Sequence, residues 1–210
     1  QRGITTYEQA KTFFRPQLQD LHDPFLMKDM DKAVERIQQA LDNNERVLVY
    51  GDYDVDGTTS VALMATYLES KSKQISTYIP DRFDEGYGIS YKGIDYALDN
   101  NFSLIIALDC GVKAIDKVQY AKKKGLDFII CDHHLPGENL PAAVAVLDPK
   151  RSDCTYPFKE LCGCGVGFKL IQAIGQNYGE TTEDLTSYLD LVATAIGADI
   201  VPVVGENRVL

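Results

Sequence analysis

The chain has 210 residues, 45% of them hydrophobic, and a formal net charge of −10, enough to bury a sizeable core in one large α/β domain. No apolar run approaches the length that spans a bilayer, and no charged-then-apolar leader opens the sequence, so a membrane role is not expected. The acidic balance argues against a strongly basic nucleic-acid module, and five cysteines without small-scaffold spacing predict reduced thiols in a cytoplasmic protein.

Residues 5–43 carry helical spacing, with Thr6 as a first cap, Asp29 or Asp31 opening a second helix, and Ala33, Val34, Ile37 and Leu41 on one face. The period then changes. Residues 46–50 form a short β-branched run that leads into an acidic turn and an apolar helix over about 58–68. Further strands are predicted at 75–79, 103–108, 127–130 and 143–147, with helices near 92–98 and 114–123 between them. Such alternation predicts a Rossmann-like parallel sheet with helices on both faces. Residues 149–165 read as a Pro/Cys/Gly-rich connection before helices over 167–178 and 182–196. The closing run 205–210 reads as the start of a strand. With Gln1 in place of an initiator methionine, it predicts a piece of a longer protein.

Four predicted strands run into acidic residues. The first leads to Asp52, Asp54 and Asp56, the third to Asp109, the fourth to Asp132, His133 and His134, and the fifth to Asp148. In an open parallel sheet the carboxyl ends of the strands line one crevice. A single Asp there is explained as well by helix capping, but four strands with an Asp-His-His run among them are not. Two carboxylates about 4 Å apart repel by roughly 1 kcal/mol even in water, so protons or cations must neutralise the cluster. Oxygen donors mixed with imidazole suit Mn²⁺ or Mg²⁺, with Zn²⁺ or Co²⁺ as alternatives. A carboxylate reaching two ions would make a two-metal centre suited to attack of water on phosphorus. Asp52, Asp54, Asp56 and Gly57 imitate an EF-hand opening, but Leu63 stands where that loop needs Glu. Thr58 and Thr59 open the following helix and are candidate phosphate contacts through its amino terminus; helix capping explains them equally well.

These residues resemble the DHH phosphoesterases. Asp132, His133 and His134 match the triplet that names the family, and Gly51 to Gly57 resembles its first motif in the form found in RecJ-type exonucleases. Asp109 lies in what resembles the second motif and Asp199 in the fourth. Arg82 to Gly88, Cys162 to Gly167 and Asp23 to Leu26 are also RecJ-like, so the resemblance covers nearly the whole chain. It implies that Asp54, Asp56, Asp109, His133 and Asp199 are metal ligands for two ions, with Asp109 bridging. His134 would act beside them, and Asp52 and Asp132 would support the site or ligate. It further implies 5′-to-3′ hydrolysis of single-stranded DNA in recombination and repair. Residues 46–210 would be the catalytic domain, with an N-terminal helical segment, 1–45, packed on it. Family members carry a second domain across the cleft, absent from these 210 residues, and it would supply much of the positive groove.

Alternatives remain at this level. A small-substrate relative cleaving oligoribonucleotides, cyclic dinucleotides or polyphosphate is one, and a non-catalytic replication scaffold of the same fold is another. Asp190 competes with Asp199, but nine residues of helix is about 2.5 turns, so the two face opposite ways. His22 is expected to be a packed or surface residue. Cys162 and Cys164 lack the second pair that a zinc site needs and are expected in a tight turn. Arg82, Lys113, Lys150 and Arg151 are candidate phosphate contacts, and Phe83 and Tyr87 are candidate base-stacking residues.

Overall fold

The computed structural model describes residues 3–210, so Gln1 lies outside the described residues. Five strands, β1 (Val47–Gly51), β2 (Ile75–Tyr78), β3 (Leu104–Leu108), β4 (Asp127–Cys131) and β5 (Ala145–Leu147), pair in parallel in the order β2-β1-β3-β4-β5. Each predicted strand is present, within two residues at either end. The period of two along a strand divides the core. Val47, Val49, Leu104, Ile106 and Leu108 face one layer of apolar side chains. Leu48, Tyr50, Ile105 and Ala107 face the other.

The first layer is covered by α2 (Met30–Asp42), α3 (Val55–Glu69), α6 (Gly163–Asn177) and α7 (Leu189–Ala198); the second is covered by α4 (Tyr91–Asp99) and α5 (Ile115–Lys123). Helix α3 is wedged against α6 and α7 and buries nine residues, leaving a narrow exposed stripe at Val55, Thr58, Ala62, Thr66 and Glu69. The first helix, α1 (Tyr7–Phe14), is capped by Thr6 in a capping box with Gln9 but buries none of its residues. Packing of the N-terminal segment on the core is therefore carried by α2, which buries Met30, Ala33, Val34, Ile37 and Ala40, and by Met27 just before it. No helix among the described residues is long and apolar enough to cross a membrane.

Four expectations are corrected. The helix expected over 182–196 is a 3-10 turn, Glu183–Tyr188, followed by α7 from Leu189. Helix α3 begins at Val55, because Asp54 caps it by accepting the Gly57 amide at 2.8 Å; the acidic turn is already its first turn. Cys162 and Cys164 are not in a turn: Cys162 is the N-cap of α6 and Cys164 lies in its first turn, both buried. The run 205–210 is a short helix, α8 (Glu206–Val209), not a strand. Gly205, at φ +51, reverses the chain there, and Glu206 turns inward to a buried ion pair with Lys169 at 2.7 Å. Its other carboxylate oxygen accepts from the Tyr156 hydroxyl at 2.7 Å.

Candidate metal centre

Strand order reverses between β1 and β3, since β2 lies on one side of β1 and the later strands on the other. A crevice forms at the carboxyl ends of strands at such a switch point. The ends of β1, β3 and β4 deliver Asp52 to Asp56, Asp109, and Asp132 to His134 into it.

His133 stands at the middle of the group. Its Nε2 lies 3.1 Å from Asp109 Oδ1, 3.7 Å from Asp56 Oδ2 and 3.7 Å from Asp199 Oδ2. Two triads of donor atoms, Asp109/His133/His134 and Asp56/His133/Asp199, each lie within 4.8 Å of one another. His133 belongs to both and Asp109 to one. Asp54 belongs to neither; it is exposed, with one oxygen engaged by Gly57.

Backbone amides orient the carboxylates. Asp56 is 2% exposed, and both its oxygens accept at 2.7 Å from the amides of Gly163 and Cys164, the first turn of α6. A helix amino terminus suits an anion. Gly163 makes room for Asp109 beside this turn: a Cβ on it would stand 2.6 Å from the Asp109 Cβ. Gly57 does the same under Asp52, whose backbone would meet a Cβ at 2.5 Å. Asp52 itself accepts from Tyr53 at 2.7 Å and Gly88 at 2.6 Å, so it fixes the 86–88 loop. Asp132, 1% exposed, accepts from the amides of Val112, His133 and His134.

Asp132 also meets His134 Nδ1 at 2.7 Å. A carboxylate only accepts, so Nδ1 carries the proton and Nε2 is left for the cleft. This hydrogen bond, outweighing burial, raises the His134 pKa above its usual value.

The cluster is short of positive charge. Burial and the neighbouring Asp56, Asp54 and Asp132 push the Asp109 carboxyl far above the carboxylate range. Burial likewise raises Asp56 and Asp52, and it pushes Asp148 up to about 7. Asp109 Oδ1 and both ring nitrogens of His133 are buried without a hydrogen-bond partner among the described residues; the 3.1 Å approach lacks hydrogen-bond geometry. Each such orphan costs about 1–3 kcal/mol. Asp199, capping the carboxyl end of α7, adds a negative charge where the helix dipole is already negative. Oxygen and imidazole donors converging on one point fit a hard or borderline divalent cation.

Other candidates lie apart. The Thr58 hydroxyl donates to Asp54 O at 2.7 Å and that of Thr59 to Val55 O at 2.7 Å, while the Thr58 amide is bonded to Asp54 O. Capping and back-bonding within α3 thus occupy these groups. Arg82 is exposed, its guanidinium 5.3 Å from the Tyr53 ring centroid. Arg151 is committed to Asp29 and Asp153. His22 packs edge-on against Tyr156 at 5.9 Å, in neither triad. Asp190 is exposed on the first turn of α7. The amides of Gly163 and Cys164 were missed by the sequence reading, as was Tyr50, whose hydroxyl donates to Gly88 O at 2.9 Å.

Residues 46–196 match the DHH family, N-terminal domain. The single-stranded-DNA-specific exonuclease RecJ of Bacillus subtilis is 46% identical over 209 residues, aligning 100% of this chain with 26% of its own length. The RecJ of Dickeya dadantii is 37% identical over 220 residues, with 100% and 38% covered. A crystal structure of exonuclease RecJ bound to manganese superposes with a TM-score of 0.80 at 30% identity, over 91% of this chain and 47% of that one. The chain thus spans well under half the length of these curated relatives. By the family match across its sheet and the strand-end residues of its site, this chain belongs to the DHH family.

Proposed function

We propose that this chain is the metal-binding catalytic domain of a single-strand-specific DNA exonuclease that hydrolyses phosphodiester bonds with two Mn²⁺ or Mg²⁺ ions, working from the 5′ end in recombination and repair. The observation that carries the reading is the shared His133, with its unpartnered nitrogens between two carboxylate-bearing donor groups. The relatives named above support the substrate and the metal, and the five free, buried cysteines support a cytoplasmic setting.

Asp54, Asp56, Asp109, His133 and Asp199 would hold the ions, with Asp109 between them. Bound there, divalent ions supply Lewis acidity toward the scissile phosphate and its attacking water. The chain's own residues prepare the ground. The α6 amides fix both Asp56 oxygens beside His133, and Asp132 locks the His134 ring with Nε2 facing the cleft. From there His134 can hold or pass a proton at the leaving oxygen. Further domains of a longer protein would complete the DNA groove, since this chain carries a net charge of −10 and phosphate binding needs positive partners.

Calorimetric titration with Mn²⁺ tests the centre: two ions per chain are expected, and none at millimolar Mn²⁺ would refute it. Turnover of single- and double-stranded oligonucleotides by a longer protein containing this chain tests the substrate. Equal rates on both would refute strand specificity.

A further inference from the structure

Residues 79–90 connect β2 to α4 without regular structure, yet the loop is closed on itself. Asp81 opens it: its Oδ1 accepts from the amides of Phe83 at 2.8 Å and Asp84 at 2.9 Å, and its carbonyl accepts from the Glu85 amide at 2.9 Å. Gly86 and Gly88 follow at φ +77 and +81, positions where the backbone would otherwise be free to move. Glu85 is the group that ties the loop down. One of its oxygens accepts from the Asp81 amide at 2.9 Å, and the other accepts from the Ser90 hydroxyl. The Tyr78 hydroxyl reaches both, at 3.0 and 2.9 Å. Ser90 in turn caps α4 by accepting from the Gly93 amide at 2.8 Å. A single half-buried carboxylate thus joins the end of β2, the start of the loop and the start of α4.

What the loop presents to the metal centre is Tyr87. Its ring stands edge-on to His134 at 6.3 Å and edge-on to Tyr53 at 5.9 Å, between two of the strand-end segments that build the centre. Edge-to-face is an arrangement that aromatic rings prefer at this separation. Asp132 holds His134 through Nδ1, and one hydrogen bond leaves a ring room to pivot; Tyr87 bounds that pivot on one side.

We propose that Glu85 is a positioning residue for the reaction: it holds the 79–90 loop so that Tyr87 keeps His134 aimed at the leaving oxygen. The inference rests on the proposed function, in which His134 holds or passes a proton there, and a proton passes only at hydrogen-bond reach. The hydrogen bonds of Glu85 go to Tyr78, Asp81 and Ser90, none of them a donor residue of the metal centre, so its influence passes through the loop. Three donors converge on its two oxygens. An amide side chain keeps one carbonyl oxygen with two lone pairs, enough for two of them, whereas a methyl keeps none.

The test is steady-state turnover of a single-stranded oligonucleotide by the longer protein containing this chain, with Mn²⁺ titrated on each preparation. Glu85→Ala should lower kcat by about 10–100-fold, the usual loss for an outer-shell partner, with KM and Mn²⁺ stoichiometry held. Glu85→Gln should recover kcat to within several-fold of the unsubstituted protein. In a Tyr87→Ala background, Glu85→Ala should cost less than about threefold more, because residues that act through one another are not additive. Tyr78→Phe removes one donor and keeps the ring packed against Tyr50 and Tyr96; it should lower kcat several-fold and serves if Glu85→Ala does not fold. A loss confined to KM, an equal loss in Glu85→Gln or full additivity with Tyr87→Ala would overturn the positioning role and leave the metal reading standing. Unchanged kcat in Glu85→Ala, or in Tyr78→Phe should the former not fold, would overturn it too. Absence of Mn²⁺ uptake by the unsubstituted protein would overturn the metal reading and this inference with it.

Discussion

Asp148 offers a sharp test of the electrostatics at the strand ends. It is fully buried; its Oδ1 accepts from the Lys150 amide at 2.7 Å, and its Oδ2 has no partner among the described residues. Burial, with Asp132 nearby, pushes its carboxyl up to about 7, whereas the unfolded value lies near 3.9. A carboxyl raised on folding makes the folded protein the better proton binder. Its stability contribution is therefore fully present below about 4 and is lost as pH rises through about 7. Between pH 5 and pH 8 that loss amounts to about 2.6 kcal/mol. Asp148→Asn keeps an acceptor for Lys150 and removes the titration. Its new amide donor carries a constant cost of about 1–3 kcal/mol if it finds no acceptor, so the slope is diagnostic and the offset is not. Urea denaturation of both proteins in chelator, at half-unit steps from pH 5 to pH 8, measures it. The variant should gain on the wild type by about 2–3 kcal/mol across that range. Parallel stability curves would show that Asp148 is ionised throughout and that burial does not govern its charge.

Removing Asp109 should separate function from folding: Asp109→Ala is expected to lower turnover of the longer protein by more than about a hundredfold, beyond the usual loss for an outer-shell partner, while the thermal midpoint of the metal-free form holds or rises. His133→Ala should abolish Mn²⁺ uptake in calorimetry and His22→Ala should leave it intact; in the unsubstituted protein, uptake should weaken as the solution is made more acidic, because a ligand imidazole must be neutral. Gly163→Ala should cost about 1–3 kcal/mol by overpacking and weaken Mn²⁺ binding, since its methyl displaces Asp109; denaturation and titration of one preparation check both. Glu206→Ala, which strands the buried Lys169 charge, should cost about 3–5 kcal/mol by denaturation and leave Mn²⁺ affinity unchanged.

The sheet and the Asp and His residues of the centre were legible because the period of two and the strand-end acids are properties of side chains in sequence. What stayed hidden depended on backbone groups and distant partners. The amides of Gly163 and Cys164 hold Asp56 from 107 and 108 residues away, and an amide carries no residue signature. The start of α6 was masked by Gly163, Gly165 and Gly167, each poor in helix propensity. They are there because α6 packs closely, a Cβ at Gly167 meeting Leu108 at 3.3 Å. At 205–210 the local pattern favoured a strand, and the tertiary demand for Glu206 beside Lys169 prevailed. Thr58 and Thr59 were ambiguous in sequence for a physical reason, since a hydroxyl in a first helical turn can bond outward or back to its own helix.

How so many carboxylates coexist follows from what holds each one. Asp52, Asp54, Asp56, Asp132 and Asp148 all accept from backbone amides, which favour the ionised form without bringing a positive side chain into the crevice. Three inward-facing cations are committed elsewhere, Arg36 to Glu45 and Asp127, Arg151 to Asp29 and Asp153, and Lys169 to Glu206. Had any of them closed on the strand-end acids, the resulting ion pairs would compete with a divalent ion for the same oxygens. Asp109 stands apart, because its Oδ1 has no donor and its pKa is driven far upward. Its backbone adopts φ +59, a left-handed conformation that Asp tolerates better than most residues, and this turns its carboxyl toward His133. Among these acids, Asp109 is thus the one whose ionisation depends most on an added cation, which is the property a carboxylate placed between two metal ions requires.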